Sequence, residues 1–158
     1  MIDANLFEMA LGLVSPWFVD RITFDPDKKQ LDLYIDFTRG GEFTCYGCGR
    51  EACKAYDTVD KTWRHLNFFE HSTYLHARVP RTDCKTCGIG MVTVPWARAR
   101  SGFTLLFEAF IMALAKDMPV NAIAHLVKEH DTKLWRVLRH YVDQARSSED
   151  YSDVVRVG

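Results

Sequence analysis

Apolar residues recur along this chain with a period near two at first and near 3.6 later, and the change falls just after Pro95. The N-terminal stretch is a short exception. Leu6, Met9, Ala10 and Leu13 lie at helical spacing, which predicts an amphipathic helix over 4–14 that Ser15-Pro16 ends. Phe18, Val19, Ile22 and Phe24 then predict a strand, and Asp25-Pro26-Asp27-Lys28-Lys29 a turn. Leu31, Leu33, Ile35 and Phe37 alternate with Asp32, Tyr34 and Asp36, the pattern of a strand with one buried face. Further strands are expected over 57–63 and 72–81.

Beyond Pro95 the apolar positions shift to helical spacing. Phe103, Leu106, Phe107, Phe110, Ile111, Leu114 and Met118 mark a first helix, which Pro119 separates from a second carrying Val120, Ile123, Ala124, Leu126 and Val127. A third is expected from Asp131, as N-cap, to Arg146, with Leu134, Val137, Leu138, Tyr141, Val142 and Ala145 as its stripe. The segment from Trp96 to Ser101, containing Arg98 and Arg100, reads as a basic linker.

The chain has 158 residues, 47 % of them hydrophobic and 13 % aromatic, enough to build a packed core. Its net charge of −1 conceals an uneven distribution. Residues 61–100 hold seven basic and two acidic side chains, against six and eleven in residues 1–60. No apolar run reaches the roughly 20 residues that span a bilayer. The start of the chain lacks the basic and apolar regions of a secretory signal, so a cytoplasmic location and reduced cysteines are expected.

Four of the five cysteines form two matching turns, Cys45-Tyr46-Gly47-Cys48-Gly49 and Cys84-Lys85-Thr86-Cys87-Gly88. Each C-x-x-C can place two sulfurs from one tight turn, and the following glycine can take a positive φ. Two such turns supply the four soft ligands of one structural zinc ion, with Zn–S near 2.3 Å. The bland alternative is four unlinked buried thiols. Cys53 is left over as a free, partly buried thiol. His65, His71 and His76 between the turns read as sheet or surface residues, because four cysteines already complete a site. Trp63, Phe68, Phe69, Tyr74 and Trp96 read as core aromatics, with a single-strand stacking platform as the alternative.

The short connection between the second and third predicted helices suggests a helix-turn-helix, with Ala124 small enough for a close crossing. In that motif the third helix enters the major groove of DNA. Its polar face would carry Thr132, Lys133, Arg136, Arg139 and His140, while Arg64, Arg78, Arg81, Arg98 and Arg100 of the basic segment could reach phosphates. The same pattern also suits a plain three-helix bundle with a solvated basic face. Lys128-Glu129-His130 stands where such turns usually hold a glycine and then an apolar residue, and Glu129 and Asp131 place negative charge near the presumed groove.

These stretches together resemble the N-terminal region of bacterial insertion-sequence transposases of the ISL-three type. The resemblance rests on Cys45-x-x-Cys48-Gly49, Trp63-Arg64-His65-Leu66, Arg78-Val79-Pro80-Arg81-x-x-Cys84-x-x-Cys87-Gly88 and Thr93-Val94-Pro95-Trp96. It continues through Met118-Pro119-Val120-x-Ala122-Ile123-Ala124 and Leu134-Trp135-Arg136-Val137-Leu138-x-x-Tyr141-Val142. It implies an α+β chain: a small antiparallel sheet with a four-cysteine zinc ribbon, with an N-terminal helix and hairpin, over 1–97, and a three-helix DNA-binding unit over 98–146. Residues 147–158 would lead toward a DDE catalytic domain, with Val154-Val155-Arg156-Val157-Gly158 resembling the strand that leads into its first catalytic aspartate. No catalytic residue is expected in this chain. The implied partners are double-stranded DNA at a transposon's terminal inverted repeats and a second copy of the chain, with no membrane. The alternative is a ribbon that serves protein interaction or dimerisation, or a transcriptional regulator.

Overall fold

A computed structural model describes residues 3–150 and Ser152. It is an α+β chain whose elements run α1 (Ala4–Leu11), β1 (Trp17–Asp25), β2 (Gln30–Phe37), β3 (Glu42–Phe43), β4 (Cys53–Phe68), β5 (His71–Cys84), β6 (Gly88–Met91), α2 (Leu105–Leu114), α3 (Val120–Val127) and α4 (Asp131–Ser147). The chain divides into two compact units, residues 1–107 and 108–158. The expected strand at 154–158 lies outside the described residues.

In the first unit six strands form one sheet, in the order β1-β2-β5-β4-β3, with β6 added to β5. Period-two alternation buries Leu31, Leu33 and Ile35 on β2 and Leu75, Ala77 and Val79 on β5, all at 5 % exposure or less. Phe7 of α1 joins this core, as do Trp17, Trp63 and Trp96, whose rings meet edge-to-face: Trp96 lies 5.0 Å from Trp17 and 5.6 Å from Trp63. Asp3 caps α1 by accepting from the Asn5 amide at 2.9 Å, and Gly12, in the left-handed conformation, ends it ahead of Ser15-Pro16.

The sheet is mixed, where an antiparallel one was expected. β2 runs parallel to β5, pairing Gln30 through Ile35 with Ser72 through Ala77. The cause is that the chain leaves β2, passes through β3, and makes the long β4–β5 hairpin before returning beside β2. β5 therefore bonds β4 along one edge, and β2 and then β6 along the other. The opposite, polar face is held by a cross-strand row. Arg21 lies 4.0 Å over the Tyr34 ring, Tyr34 stacks on His76 at 4.8 Å, and the His76 ring bonds Asp32 at 2.7 Å and Thr62 at 2.9 Å.

The segment from Trp96 to Ser101, expected as a linker, and the three residues after it are fastened to the sheet. Trp96 and Ala97 are buried, the Arg64 amide donates to the Gly102 carbonyl at 2.9 Å, and the Thr104 amide donates to the Arg64 carbonyl at 3.0 Å. In the second unit α3 packs on α4, with Ile123 and Val127 buried on one and Leu134 and Val137 on the other. The buried carboxylate of Glu108 accepts from the Tyr141 hydroxyl at 2.7 Å. Four helices are present among the described residues, and none is long and apolar enough to cross a membrane.

Candidate metal centre and nucleic-acid interface

The β4–β5 hairpin brings the cysteine turns together. Its closed end is at Phe68–His71, so its open end carries Cys53 and Cys84, with Ala55 opposite Thr82. Residues 45–49 connect β3 to β4, and residues 84–88 connect β5 to β6, so each turn sits at the tip of its own small hairpin. The sulfurs of Cys45, Cys48, Cys84 and Cys87 all lie within 4.8 Å of one another, and those of Cys48 and Cys84 are 3.6 Å apart. A tetrahedron with Zn–S of about 2.3 Å has edges of about 3.8 Å, so the donor set has the type and spacing for zinc. Cys53 is outside the cluster, and its thiol donates to the Arg50 carbonyl at 3.4 Å.

Backbone amides prepare these sulfurs for a cation. The Cys48 and Gly47 amides hold the Cys45 thiol below its ordinary pKa, and the Cys87 and Thr86 amides bring Cys84 down to about 6. Cys87 is pushed up to about 12, chiefly by its bond with Cys48 and also by burial. Four thiolates this close repel one another. A divalent cation removes that obstacle by holding every ligand deprotonated. Gly49 and Gly88, at φ +70° and +75°, take the left-handed conformation expected after each second cysteine.

The first turn contains two further features that the cysteine spacing did not reveal. A Cβ on Gly47 would lie 2.8 Å from the Cys87 sulfur, so a side chain there would crowd the fourth ligand. The Tyr46 ring lies over Gly90 of β6, where a Cβ would come within 1.7 Å of it, and its hydroxyl donates to the Cys87 carbonyl at 2.8 Å. Tyr46 thus joins the two turns independently of any metal. The only sequence cue was an aromatic in one knuckle and a Gly-x-Gly just after the other.

All five residues expected on the reading helix are exposed on α4: Thr132, Lys133, Arg136, Arg139 and His140. Among the described residues Arg136 and Arg139 have no acidic partner, whereas Lys133 pairs with Glu129 at 2.9 Å. That pair and the Asp131 carboxylate, which accepts from the Thr132 amide at 2.7 Å, account locally for the acids that seemed to oppose DNA. The N-cap is His130, one residue before the expected Asp131, and its Nδ1 also accepts from the Thr132 amide, at 3.3 Å. Lys128 takes the left-handed conformation, φ +57° and ψ +43°, and its amide bonds the Ala124 carbonyl. The turn therefore keeps the geometry that a glycine ordinarily supplies, at a cost of about 1–2 kcal/mol.

The sheet arginines are placed differently from expectation. Arg64 is 4 % exposed. Its guanidinium donates to the carbonyls of His65 and of Thr73 (3.3 Å) and to Asn67 Oδ1 (2.5 Å), and lies 4.9 Å over the Phe107 ring. It is a buried structural residue and not a phosphate contact. Arg78 forks onto Asp36 at 2.8–3.2 Å, and Arg81 onto Asp57, whose carboxyl its hydrogen bonds hold below the usual range. Strand pairing thus sets Asp36 and Asp57 against Arg78 and Arg81, two of the seven basic side chains of residues 61–100, so part of the charge contrast seen along the sequence is cancelled in space. Arg98 is half-buried, and Arg100 is exposed. His65 is pressed to a pKa of about 4 by burial and by Arg64, and its Nδ1 meets the Thr104 hydroxyl at 2.8 Å.

Two family models match this chain in succession. Residues 41–87 match the zinc-finger of transposase IS204/IS1001/IS1096/IS1165, and residues 92–142 match the helix-turn-helix domain of transposase family ISL3. Curated relatives include the transposases for insertion sequence element IS1557 of Mycobacterium tuberculosis, in strains CDC 1551 / Oshkosh and ATCC 25618 / H37Rv. Each is 31 % identical over 168 residues, covering 100 % of this chain and 37 % of the relative. The chain therefore spans little more than a third of the length of those relatives. No solved structure matches it.

Proposed function

The chain belongs to the ISL3-type transposases, whose zinc ribbon and helix-turn-helix it carries in order, and we propose that it is the part that recognises the terminal inverted repeats of its element. The observation that carries this reading is the outward face of α4, where Thr132, Arg136, Arg139 and His140 stand exposed and both guanidinium groups lack acidic partners among the described residues. In a helix-turn-helix the start of the second helix meets base edges and its flanks meet phosphates. α3 and α4 take those two places, with Arg136 on a guanine edge and Lys133, Arg139 and His140 on the backbone. One zinc ion, held by Cys45, Cys48, Cys84 and Cys87, clips the ribbon and supplies rigidity without chemistry. Arg78, Arg81, Arg98 and Arg100 add weaker phosphate contacts. The strand cleavage and joining of the whole protein belong to a DDE domain, and the protein acts in the cytoplasm.

Alanine at both Lys133 and Arg136 tests this assignment. Duplex affinity measured by anisotropy should fall at least about tenfold, while the far-ultraviolet spectrum and zinc content stay unchanged. Undiminished binding by the folded variant would move the contact off α4. The competing reading, a module for protein interaction or self-association, draws on the exposure of Leu6, Met9 and Phe69 at 59 %, 82 % and 84 %. It predicts association in sedimentation experiments without DNA and no preference among duplexes.

A further inference from the structure

Three of the four tryptophans, Trp17, Trp63 and Trp96, are buried at 5–8 % exposure, while Trp135 is 54 % exposed on the second turn of α4. A single exposed apolar residue is ordinary. The setting of this one is not. Thr132 lies three residues before Trp135 and Arg139 four after it, so these three share one face of the helix, while Arg136 projects from the neighbouring face, three positions before Arg139. Around the helix Arg139 comes next to the indole and Arg136 beyond it, both without acidic partners among the described residues, and the indole ring has no aromatic partner among them. Leu134 and Val137 point into the core on the opposite side, so the ring cannot turn inward to join them. A helix position that needed only solubility or helix propensity would be better served by lysine, glutamate or alanine than by tryptophan.

A flat apolar surface at the edge of a patch that carries two arginines matches one feature of duplex DNA particularly well. The C5-methyl of thymine is the apolar group in the major groove, and it is flanked by phosphates and, at a G·C neighbour, by guanine acceptors that arginine prefers. We propose that Trp135 is a specificity-determining residue that packs its ring on a thymine methyl, while Arg136 and Arg139 engage the neighbouring guanine edge and phosphate. This rests on the reading of α4 as the helix that enters the groove, and it adds a base preference that the arginines alone do not impose.

The test uses the zinc-loaded chain and the tightest-binding duplex selected from a randomised pool, so that it does not depend on terminal repeats being the target. Acrylamide quenching of tryptophan emission, with W135F as the blank, isolates the one exposed ring. Saturating duplex should abolish most of that difference. Replacing the contacted thymine by deoxyuridine should weaken the parent about fourfold, the worth of one buried methyl, and leave W135A unaffected. W135A itself should lose about tenfold in affinity while retaining its zinc and its spectrum. Full occupancy by anisotropy with Trp135 still quenchable would overturn the inference, as would a W135A variant with parental affinity and parental sensitivity to deoxyuridine. If no duplex is enriched from the pool, DNA recognition by this chain fails as a whole and the inference falls with it.

Discussion

Arg64→Lys separates the structural role of a buried arginine from a DNA-binding role more cleanly than any other single change. The guanidinium serves three acceptors, the carbonyls of His65 and Thr73 and the amide oxygen of Asn67, from a side chain that is 4 % exposed. A lysine keeps the charge but has one nitrogen, which can satisfy one or two of those acceptors and cannot lie flat on the Phe107 ring. Losing one or two charge-assisted bonds costs about 1.5–3 kcal/mol each, and the cation–π contact adds up to about 1. The net expectation is about 3 kcal/mol, or roughly 6–12 °C in melting temperature for a chain of this size. Urea titration followed by tryptophan emission, with zinc in excess, reads this directly. Duplex affinity, compared under conditions where both proteins are fully folded, should change by less than about threefold. A variant as stable as the parent to within about 0.5 kcal/mol, yet tenfold weaker on DNA, would return Arg64 to the DNA surface.

Three other outcomes are expected. The His65 ring is neutral in the folded chain down to about pH 4, whereas in the unfolded chain it binds a proton near 6.5; stability from this group is full above 6.5 and falls as pH drops toward 4, by up to about 3 kcal/mol. Subtracting the profile of His65→Gln removes the contribution of the zinc thiolates, and a difference flat between pH 4 and 7 would contradict the assignment. Gly90→Ala must expel the Tyr46 ring and break its bond to the Cys87 carbonyl; it should cost about 1–3 kcal/mol and speed zinc loss to a chelator, with Tyr46→Phe milder at about 1 kcal/mol. At the left-handed Lys128, a valine should destabilise by about 1–2 kcal/mol, while a glycine should be neutral or slightly stabilising, in thermal melts of the two variants.

Local pattern accounts for what was legible in the chain. Leu31, Leu33 and Ile35 declared their buried face because alternation is a property of one strand. In the helices after Pro95 a period of 3.6 marked Phe107, Ile111, Ile123, Val127, Leu134 and Val137, whereas Leu106, Phe110, Leu126 and Val142 of the same stripes are exposed. The cysteine turns were legible because zinc chemistry dictates both residue type and spacing. What a strand pairs with is not written in its own alternation, so the parallel match of β2 with β5 was missed. The same gap misplaced the arginines. A charged residue is read as exposed by default, and only the fold shows that Thr73 and Asn67 converge on Arg64 or that Asp36 and Asp57 face Arg78 and Arg81. Tyr46 over Gly90 was invisible for a related reason, because 44 positions separate two residues whose shapes fit. At Lys128 composition argued against a turn that the backbone nevertheless makes.

A zinc-clipped ribbon followed by a helix-turn-helix, on the function proposed above, recognises particular duplex DNA. Anisotropy of a labelled terminal-repeat duplex, competed in parallel by unlabelled repeat and by scrambled duplex of the same composition at physiological salt, tests it most directly. The repeat should compete on the order of a thousandfold better than the scrambled sequence. Affinity should also fall with salt, with a slope in log–log form of about 0.9 for each phosphate neutralised. Equal competition by the two duplexes, with the chain folded and its zinc in place, would contradict it.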